Sequence, residues 1–259
     1  MTSQRILVKI GGSTLGQEDT TLQDLVWLQR QGHQPIVVHG GGKVITEWLE
    51  RIQVPTRFVQ GLRVTDEDSI DVVVAVLAGV VNKRLVGALN ALGGRAVGVS
   101  GVDGGMLRAK EKDSSLGLVG EIVYVDTRYV EVLLDGGFLP VIAPIGQLTE
   151  GESAMGDLVN INADTAAARI GAALGACQCI FLTDVPGVLG SDGNVAPRLT
   201  RDEARELMAS GVIAGGMIPK VEACLQALEG VPSALITEGR SANALRGAVS
   251  GRAQGTRIE

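Results

Sequence analysis

Lys9 interrupts an aliphatic run, Ile6-Leu7-Val8-Lys9-Ile10, immediately ahead of the turn Gly11-Gly12-Ser13. A lysine in such a strand is rarely buried without a partner. Two readings satisfy it: an edge strand with Lys9 in water, or a ligand at the strand's C-terminal end, where open α/β sheets hold their ligands. The second is favoured. Lys220 is the other misplaced cation, for it follows Pro219 in the first turn of a helix. The positive end of the macrodipole disfavours it there by about 0.3–1 kcal/mol, which a solvated surface tolerates. An anion held between the lysine and the helix N-terminus turns the placement favourable. Asn160, Asn162 and Asp164 alternate at the approach to an alanine-rich helix, and capping uses one of them, Asn162 or Asp164. Three polar groups are more than a cap needs. An aspartate near two site lysines would hold their ammonium groups, and Asn160 could bind a small-molecule carboxylate or amide. Arg63, in Gly61-Leu62-Arg63-Val64-Thr65, has a planar fork that could grip a carboxylate at two points, although a surface arginine fits the same position.

Two glycine turns frame these residues. Gly11-Gly12-Ser13 follows the first apolar run, and Gly40-Gly41-Gly42 follows Ile36-Val37-Val38-His39. Glycines let backbone approach phosphate closely, and successive N–H groups make an electropositive nest. Neither turn fits the common nucleotide fingerprints. Val44 stands where a Walker loop needs Ser or Thr, Ile45 replaces the third glycine of G-x-G-x-x-G, and no acid follows about 20 residues on. His33 falls in a loop and His39 reads as a satisfied turn residue. The sequence shows neither a Ser-His-Asp set nor a metal-ligand spacing. That matters if the acceptor is a carboxylate, already ionised at neutral pH with an ordinary pKa of about 4.3, because no general base is then required.

The elements that must position these groups alternate strand and helix. Strands are expected at Ile6–Ile10, Ile36–Val38, Ala96–Val99, Phe138–Ala143 and Ile180–Leu182, with 119–125 part of a hairpin excursion. Helices are expected at Leu22–Gln31, from Val44 with Val44, Ile45, Trp48, Leu49 and Ile52 on one apolar face, and from Thr65, its hydroxyl capping with Asp68. Further helices follow at Asp164–Leu174, at Thr200 with Glu203 in a capping box, and from Pro219. This order predicts a three-layer α/β/α sandwich with a mainly parallel central sheet. The chain reads as one domain of two lobes meeting near residue 184. The helix after Thr65 is apolar nearly all round its middle, which points to a homodimer interface.

Composition narrows the rest. Of 259 residues, 45% are hydrophobic, 20% charged and 3% aromatic, as fits a buried sheet under helices. A net charge of −6 argues against duplex nucleic acid. Cys177, Cys179 and Cys224 read as reduced core thiols of a cytoplasmic protein. The first strand begins by Arg5, leaving no room for a signal peptide. The longest aliphatic stretch, Val72 to Val81, reads as too short to span a bilayer.

The ordered set of motifs around Lys9, Gly40–Gly42, Arg63, Asn160–Asp164, Leu182-Thr183-Asp184-Val185-Pro186-Gly187-Val188 and Gly216-Met217-Ile218-Pro219-Lys220 resembles the N-acetyl-L-glutamate kinases of the amino-acid kinase family. The resemblance spans nearly the whole chain. It implies ATP-dependent phosphorylation of the γ-carboxylate of N-acetylglutamate, an early step of arginine biosynthesis, with Mg2+ accompanying ATP. It also implies roles. Lys9 and Lys220 would stabilise the transition state and Asp164 would organise them. Gly11 and Gly12 would contact nucleotide phosphates. Gly41 and Gly42 would meet the substrate's reacting end, with Arg63 and Asn160 on its α-carboxylate and neighbouring polar groups. Asp184, Val185, Pro186, Gly187, Val188 and Leu189, with Val212, Ile213, Ala214 and Met217, would line the nucleotide site. The first lobe, about 1–183, would bind the amino acid, and the second, about 184–259, ATP. Arginine-inhibited members carry an additional N-terminal helix, so the short lead-in Met1–Gln4 implies an arginine-insensitive dimer. The 101–121 region yields no assigned contacts. A carrier-protein-dependent aminoadipate kinase and a catalytically silent nucleotide-binding regulator are the rival readings; retention of Lys9, Asp164 and Lys220 together speaks against the second.

Overall fold

The computed structural model describes residues 3–11, 20–150, 157–252 and 254–259. Gly12 and Ser13 of the first glycine turn lie outside the described residues. Fourteen strands are present among them: β1 (Arg5–Ile10), β2 (Gln34–His39), β3 (Phe58–Val59), β4 (Leu62–Arg63), β5 (Ala96–Ser100), β6 (Leu107–Glu111) and β7 (Gly120–Val125) in the first half. β8 (Leu139–Ala143), β9 (Ile145–Glu150), β10 (Leu158–Asn160), β11 (Gln178–Thr183), β12 (Arg198–Leu199), β13 (Ala234–Glu238) and β14 (Thr256–Ile258) complete them. Eight form the central sheet in the order β12-β14-β13-β11-β1-β2-β8-β5. The run from β13 to β5 is parallel throughout, and β14 joins β13 antiparallel.

β1 is therefore central, flanked by β11 and β2, with Lys9 opposite Phe181 and Val38. The edge-strand reading of Lys9 is excluded. Alternation along β1 sends Ile6, Val8 and Ile10 into one core cluster and Leu7 into the other. Lys9 shares the face of Leu7. That face is covered by α5 (Arg128–Asp135), α6 (Ala163–Ala173) and α8 (Ile218–Ala227); the opposite face carries α1 (Thr21–Arg30), α4 (Asn82–Ala91) and α9 (Ala244–Val249). The expected sandwich forms. A second sheet, β10-β9-β6-β7, contains the antiparallel β6–β7 pair expected as a hairpin excursion.

Several boundaries differ from expectation. Helix α2 spans Gly42–Arg51, beginning ahead of Val44, and of its expected inner face only Ile45 and Leu49 are buried. Trp48 and Ile52 stay exposed, because α2 packs on the helix Glu67–Val74 and the π-helical stretch Ala75–Val81 that follows it through the Ile45 and Leu49 side only. Helix α3 (Glu67–Val74) is capped by Asp66 in a reciprocal box with Ser69, not by Thr65 with Asp68. Thr65 is instead fully buried and hydrogen-bonded to Asn160. From α3 the helix continues through a π-helical stretch, Ala75–Val81, into α4. The whole helix, Glu67–Ala91, has 25 residues and a mean hydropathy of 1.9 over its most apolar window, enough by length and composition to cross a membrane. The Val72–Val81 stretch thus understated it. Val73, Val76, Leu77, Leu85 and Leu89 are buried in the core clusters, so it packs as a core helix along one side. Cys179 and Cys224 are buried and Cys177 half-buried, and all three are free thiols.

Candidate active site

The site lies at the C-terminal ends of β1, β2 and β11, where the parallel strands stop and loops turn into helices. Asn162 begins it. Its side-chain oxygen accepts the N–H groups of Asp164 at 2.9 Å and Thr165 at 3.0 Å, fixing the first turn of α6. Asp164 then stands in that turn, where the macrodipole favours a carboxylate. Its two oxygens meet two lysines. Lys9 Nζ lies 2.7 Å from Oδ1, and Lys220 Nζ, from the first turn of α8, donates to Oδ2 at 3.1 Å. Lys9 and Asp164 are buried, and Lys220 is half-buried.

Burial drags the Lys9 ammonium below its ordinary range, and the pull of Asp164 opposes that shift. Burial also pushes the Asp164 carboxyl upward, but Lys9 and Lys220 outweigh it and hold the group below its usual value. Two cations share one buried anion, with the exposed Asp184 a second counter-charge on Lys9, so positive charge is in excess within the buried cluster. Such a charge in a poorly solvated place attracts a phosphoryl group.

A cleft of about 180 Å³ adjoins this cluster, lined by Gly40, Gly41, Gly42, Arg63, Asn160 and Asn162 among others. It therefore gathers all four residues assigned to the acceptor. Arg63 is buried, with its guanidinium over Phe58 at 4.8 Å; Nη2 donates to Gly42 O and Thr46 Oγ1, each at 2.7 Å. These bonds lock the fork to the start of α2 and leave further N–H groups for a carboxylate. Asn160 donates to Thr65 Oγ1 at 3.0 Å, which orients its amide. No side chain caps α2, whose N-cap is Gly41, so its first N–H groups open on the cleft as an anion site. Gly41 sits in close approach to the long helix. A Cβ there would lie 2.6 Å from Leu77 Cδ2 and 3.3 Å from Val81 Cγ2, both on the π-helical stretch.

His39 is 1% exposed and fully engaged: Nδ1–H donates to Gly40 O at 2.9 Å, and Nε2 accepts from Asn82 at 3.2 Å. Burial lowers its pKa from 6.5 to about 4. It is a neutral structural residue beneath the glycine turn.

Asp184 follows β11 directly, is exposed, and attracts Lys9. Val185 is half-buried, and Pro186 and Leu189 are exposed. Val212 and Ala214 are exposed and Met217 half-buried. Val188 and Ile213 differ from expectation, because both side chains lie in the core cluster and only their backbone can face a ligand. Gly187 is also buried, packed on Val195 and Thr256. Gly11 closes the end of β1, and Gly12 is outside the described residues. Phe58, Thr46 and Asn82 were missed in the sequence. The first sits on a two-residue strand with no periodic signal, and the other two meet Arg63 and His39 from helices 17 and 43 residues away in the chain.

The fold and the lysine–carboxylate cluster define a class, and residues 4–238 match the model of the amino acid kinase family. The chain belongs to that family. Within it the chain is similar to acetylglutamate kinases: 46% identical over 250 residues to that of Prochlorococcus marinus (strain MIT 9303), covering 93% of this chain and 80% of the relative. It is 44% identical over 250 residues to that of Synechococcus sp. (strain RCC307), covering 93% and 83%. Among solved structures, smu.665 from Streptococcus mutans UA159 superposes with a TM-score of 0.83 at 32% identity, covering 98% of both chains. Carbamate kinase from Giardia lamblia bound to AMP-PNP shares the fold, with a TM-score of 0.74 at 15% identity over 99% of this chain and 98% of that one.

Proposed function

We propose that the chain transfers the γ-phosphoryl group of ATP to the γ-carboxylate of N-acetyl-L-glutamate, giving N-acetyl-L-glutamyl 5-phosphate and ADP. The observation that carries this reading is the single carboxylate of Asp164 held between Lys9 and Lys220 beside a cleft containing Arg63. A carboxylate oxygen of the acceptor attacks the γ-phosphorus. The new O–P bond forms as the bridging bond to the β-phosphate breaks, and its electron pair leaves with ADP. No proton has to be removed, in keeping with the absence of a histidine or other base poised over the cleft among the described residues. Lys9 and Lys220 neutralise charge that gathers on the transferred group and the leaving oxygen, and Asp164 holds both ammonium groups in register. Gly41 and Gly42 receive the reacting end at the uncapped start of α2. Arg63 and Asn160 hold the α-carboxylate and adjoining polar groups.

Gly11 and Gly12, with Asp184–Leu189, Val212–Ala214 and Met217, form the nucleotide side, Val188 and Ile213 acting through backbone. Mg2+ enters as part of MgATP. The lobes divide near residue 184. The face of Glu67–Ala91 that the core leaves uncovered, where Ala75 and Gly79 are exposed and Val80 is half-buried, pairs with a second copy in a homodimer. Light scattering at the mass of one chain would remove that assembly.

Hydroxylamine trapping of acyl phosphate, with MgATP and N-acetylglutamate, glutamate, aspartate or N-acetylaminoadipate, tests the reaction. Trapped product from N-acetylglutamate alone is expected. Product only from another acid would move the acceptor, and none from all four would overturn the reading.

A further inference from the structure

Asn82 is the first residue of α4, directly after the π-helical stretch, and it is fully buried although polar. Its amide can sit only one way round. Nδ2 faces two carbonyl oxygens, Val141 O at 2.8 Å on β8 and Val99 O at 3.4 Å on β5, while Oδ1 accepts a hydrogen bond from the Lys83 ammonium at 3.0 Å. The other partner of Nδ2 is Nε2 of His39, 3.2 Å away at the end of β2. The slot is cut to this side chain: a Cβ on Gly98 of β5 would overlap Asn82 Oδ1.

Because Nδ2 can only donate, Nε2 of His39 has to accept, and the ring proton has to sit on Nδ1. Nδ1–H then donates to Gly40 O at 2.9 Å. That oxygen belongs to the peptide joining Gly40 to Gly41, and among the described residues no peptide bond is cis. In a trans peptide the C=O and N–H point to opposite sides, so a carbonyl held on the imidazole sends the Gly41 N–H away from His39. Gly40, Gly41 and Gly42 line the acceptor cleft, and His39 does not. We infer that Asn82 is a positioning residue for acceptor binding: its amide selects the Nδ1–H tautomer of His39, and that imidazole fixes the Gly40–Gly41 peptide at the wall of the cleft. This rests on the proposed acceptor role of the glycine turn.

Such a device needs a neutral ring with one choice of tautomer. Burial keeps the imidazole neutral against the pull of the Gly40 carbonyl, and the nearby Lys83 charge works in the same direction as burial. A neutral ring still has two forms, and Gly40 O is satisfied by only one of them. Without Asn82, Nε2 would be a buried acceptor with no partner. Turning the ring, or moving its proton to Nε2, would then relieve Nε2 and release Gly40 O. Asn82 also ties the turn to the π-helical stretch, whose Leu77 lines the same cleft and lies against Gly41.

The chain has only two histidines, His33 and His39, so nitrogen-15 NMR of the imidazole rings reads the tautomer directly. His39 of the unaltered chain is expected as the Nδ1–H form alone at pH 7; an Nε2–H form or a mixture would overturn the inference whatever the kinetics. Asn82→Leu, His39→Leu and the double variant then make a cycle, read by KM for N-acetylglutamate and for MgATP. Each single change is expected to raise KM for the acceptor roughly tenfold with KM for MgATP within about twofold, and N82L should lose the single tautomer. The double variant should be no worse than either single one, because Asn82 acts through His39. A single Nδ1–H tautomer kept in N82L, an unmoved acceptor KM, equal rises in both KM values, or a rise of about a hundredfold in the double variant would each overturn the inference. Should N82L fail to fold, Asn82→Ala carries the same cycle, and the spectrum of the unaltered chain needs no variant. An unaltered chain that shows the Nδ1–H tautomer but traps no acyl phosphate would overturn the acceptor reading, and not the link from Asn82 to His39.

Discussion

Lys9, from β1, and Lys220, from the helix Ile218–Ala227, meet on the two oxygens of one carboxylate, Asp164, at 2.7 and 3.1 Å. Each alone is an awkward cation, one inside a sheet and one at the positive end of a helix. Together with the carboxylate they make a rigid, positively charged clamp whose geometry is set before any phosphate arrives.

Lys220→Ala is expected to lower kcat by about 10²- to 10³-fold, because it removes charge neutralisation from the transition state. KM for MgATP should change much less. Steady-state kinetics with N-acetylglutamate measures both, and unchanged turnover would remove Lys220 from the chemistry.

Arg63→Lys keeps the charge but loses the planar fork that bonds Gly42 O and Thr46 while remaining open to the cleft. KM for the acceptor should rise roughly tenfold or more with kcat largely retained. Equal falls in kcat and kcat/KM would place Arg63 in the transition state instead.

Gly41→Ala drives a Cβ to 2.6 Å from Leu77 Cδ2. Overpacking of this kind costs about 1–3 kcal/mol and should push the glycine turn toward the cleft. Denaturant unfolding should show the loss, together with a raised KM for the acceptor; an unaltered unfolding midpoint would mean that the π-helical stretch yields freely.

His39 gives a pH dependence with a defined sign. Its pKa falls from 6.5 to about 4 in the folded chain, through burial, so the unfolded chain takes up the proton first. Its stability contribution is complete above pH 6.5, declines as pH drops toward 4, and is lost below, amounting to about 3 kcal/mol. Unfolding midpoints for the unaltered chain and His39→Asn between pH 7 and 4.5 measure it as the difference in slope. Identical slopes would show that His39 titrates normally.

Much of this was legible in the linear chain because it depends on local pattern. Apolar runs ending in glycine, helical periodicity and the Thr200–Glu203 box each specify an element within a few residues. β12 and β14 carried too few residues for a pattern of their own, β13 was not read although it is as long as β5, and the cap of α3 moved from Thr65 to Asp66 because Thr65 was drawn into the core by Asn160. The four acceptor residues were named as types, but their shared cleft depends on loops converging from four separate strand ends and helix starts.

The sequence by itself determined the residue types of the site, the layered fold and the order of its elements, since each follows from side-chain chemistry and short-range periodicity. Only the tertiary structure decided that Lys9 is central in the sheet, that Val188 and Ile213 turn inward, and that Asn82 meets His39. The physical reason is that strand order and burial are set by contacts between segments far apart in the chain, where desolvation and pairing of charge, not local propensity, choose the arrangement.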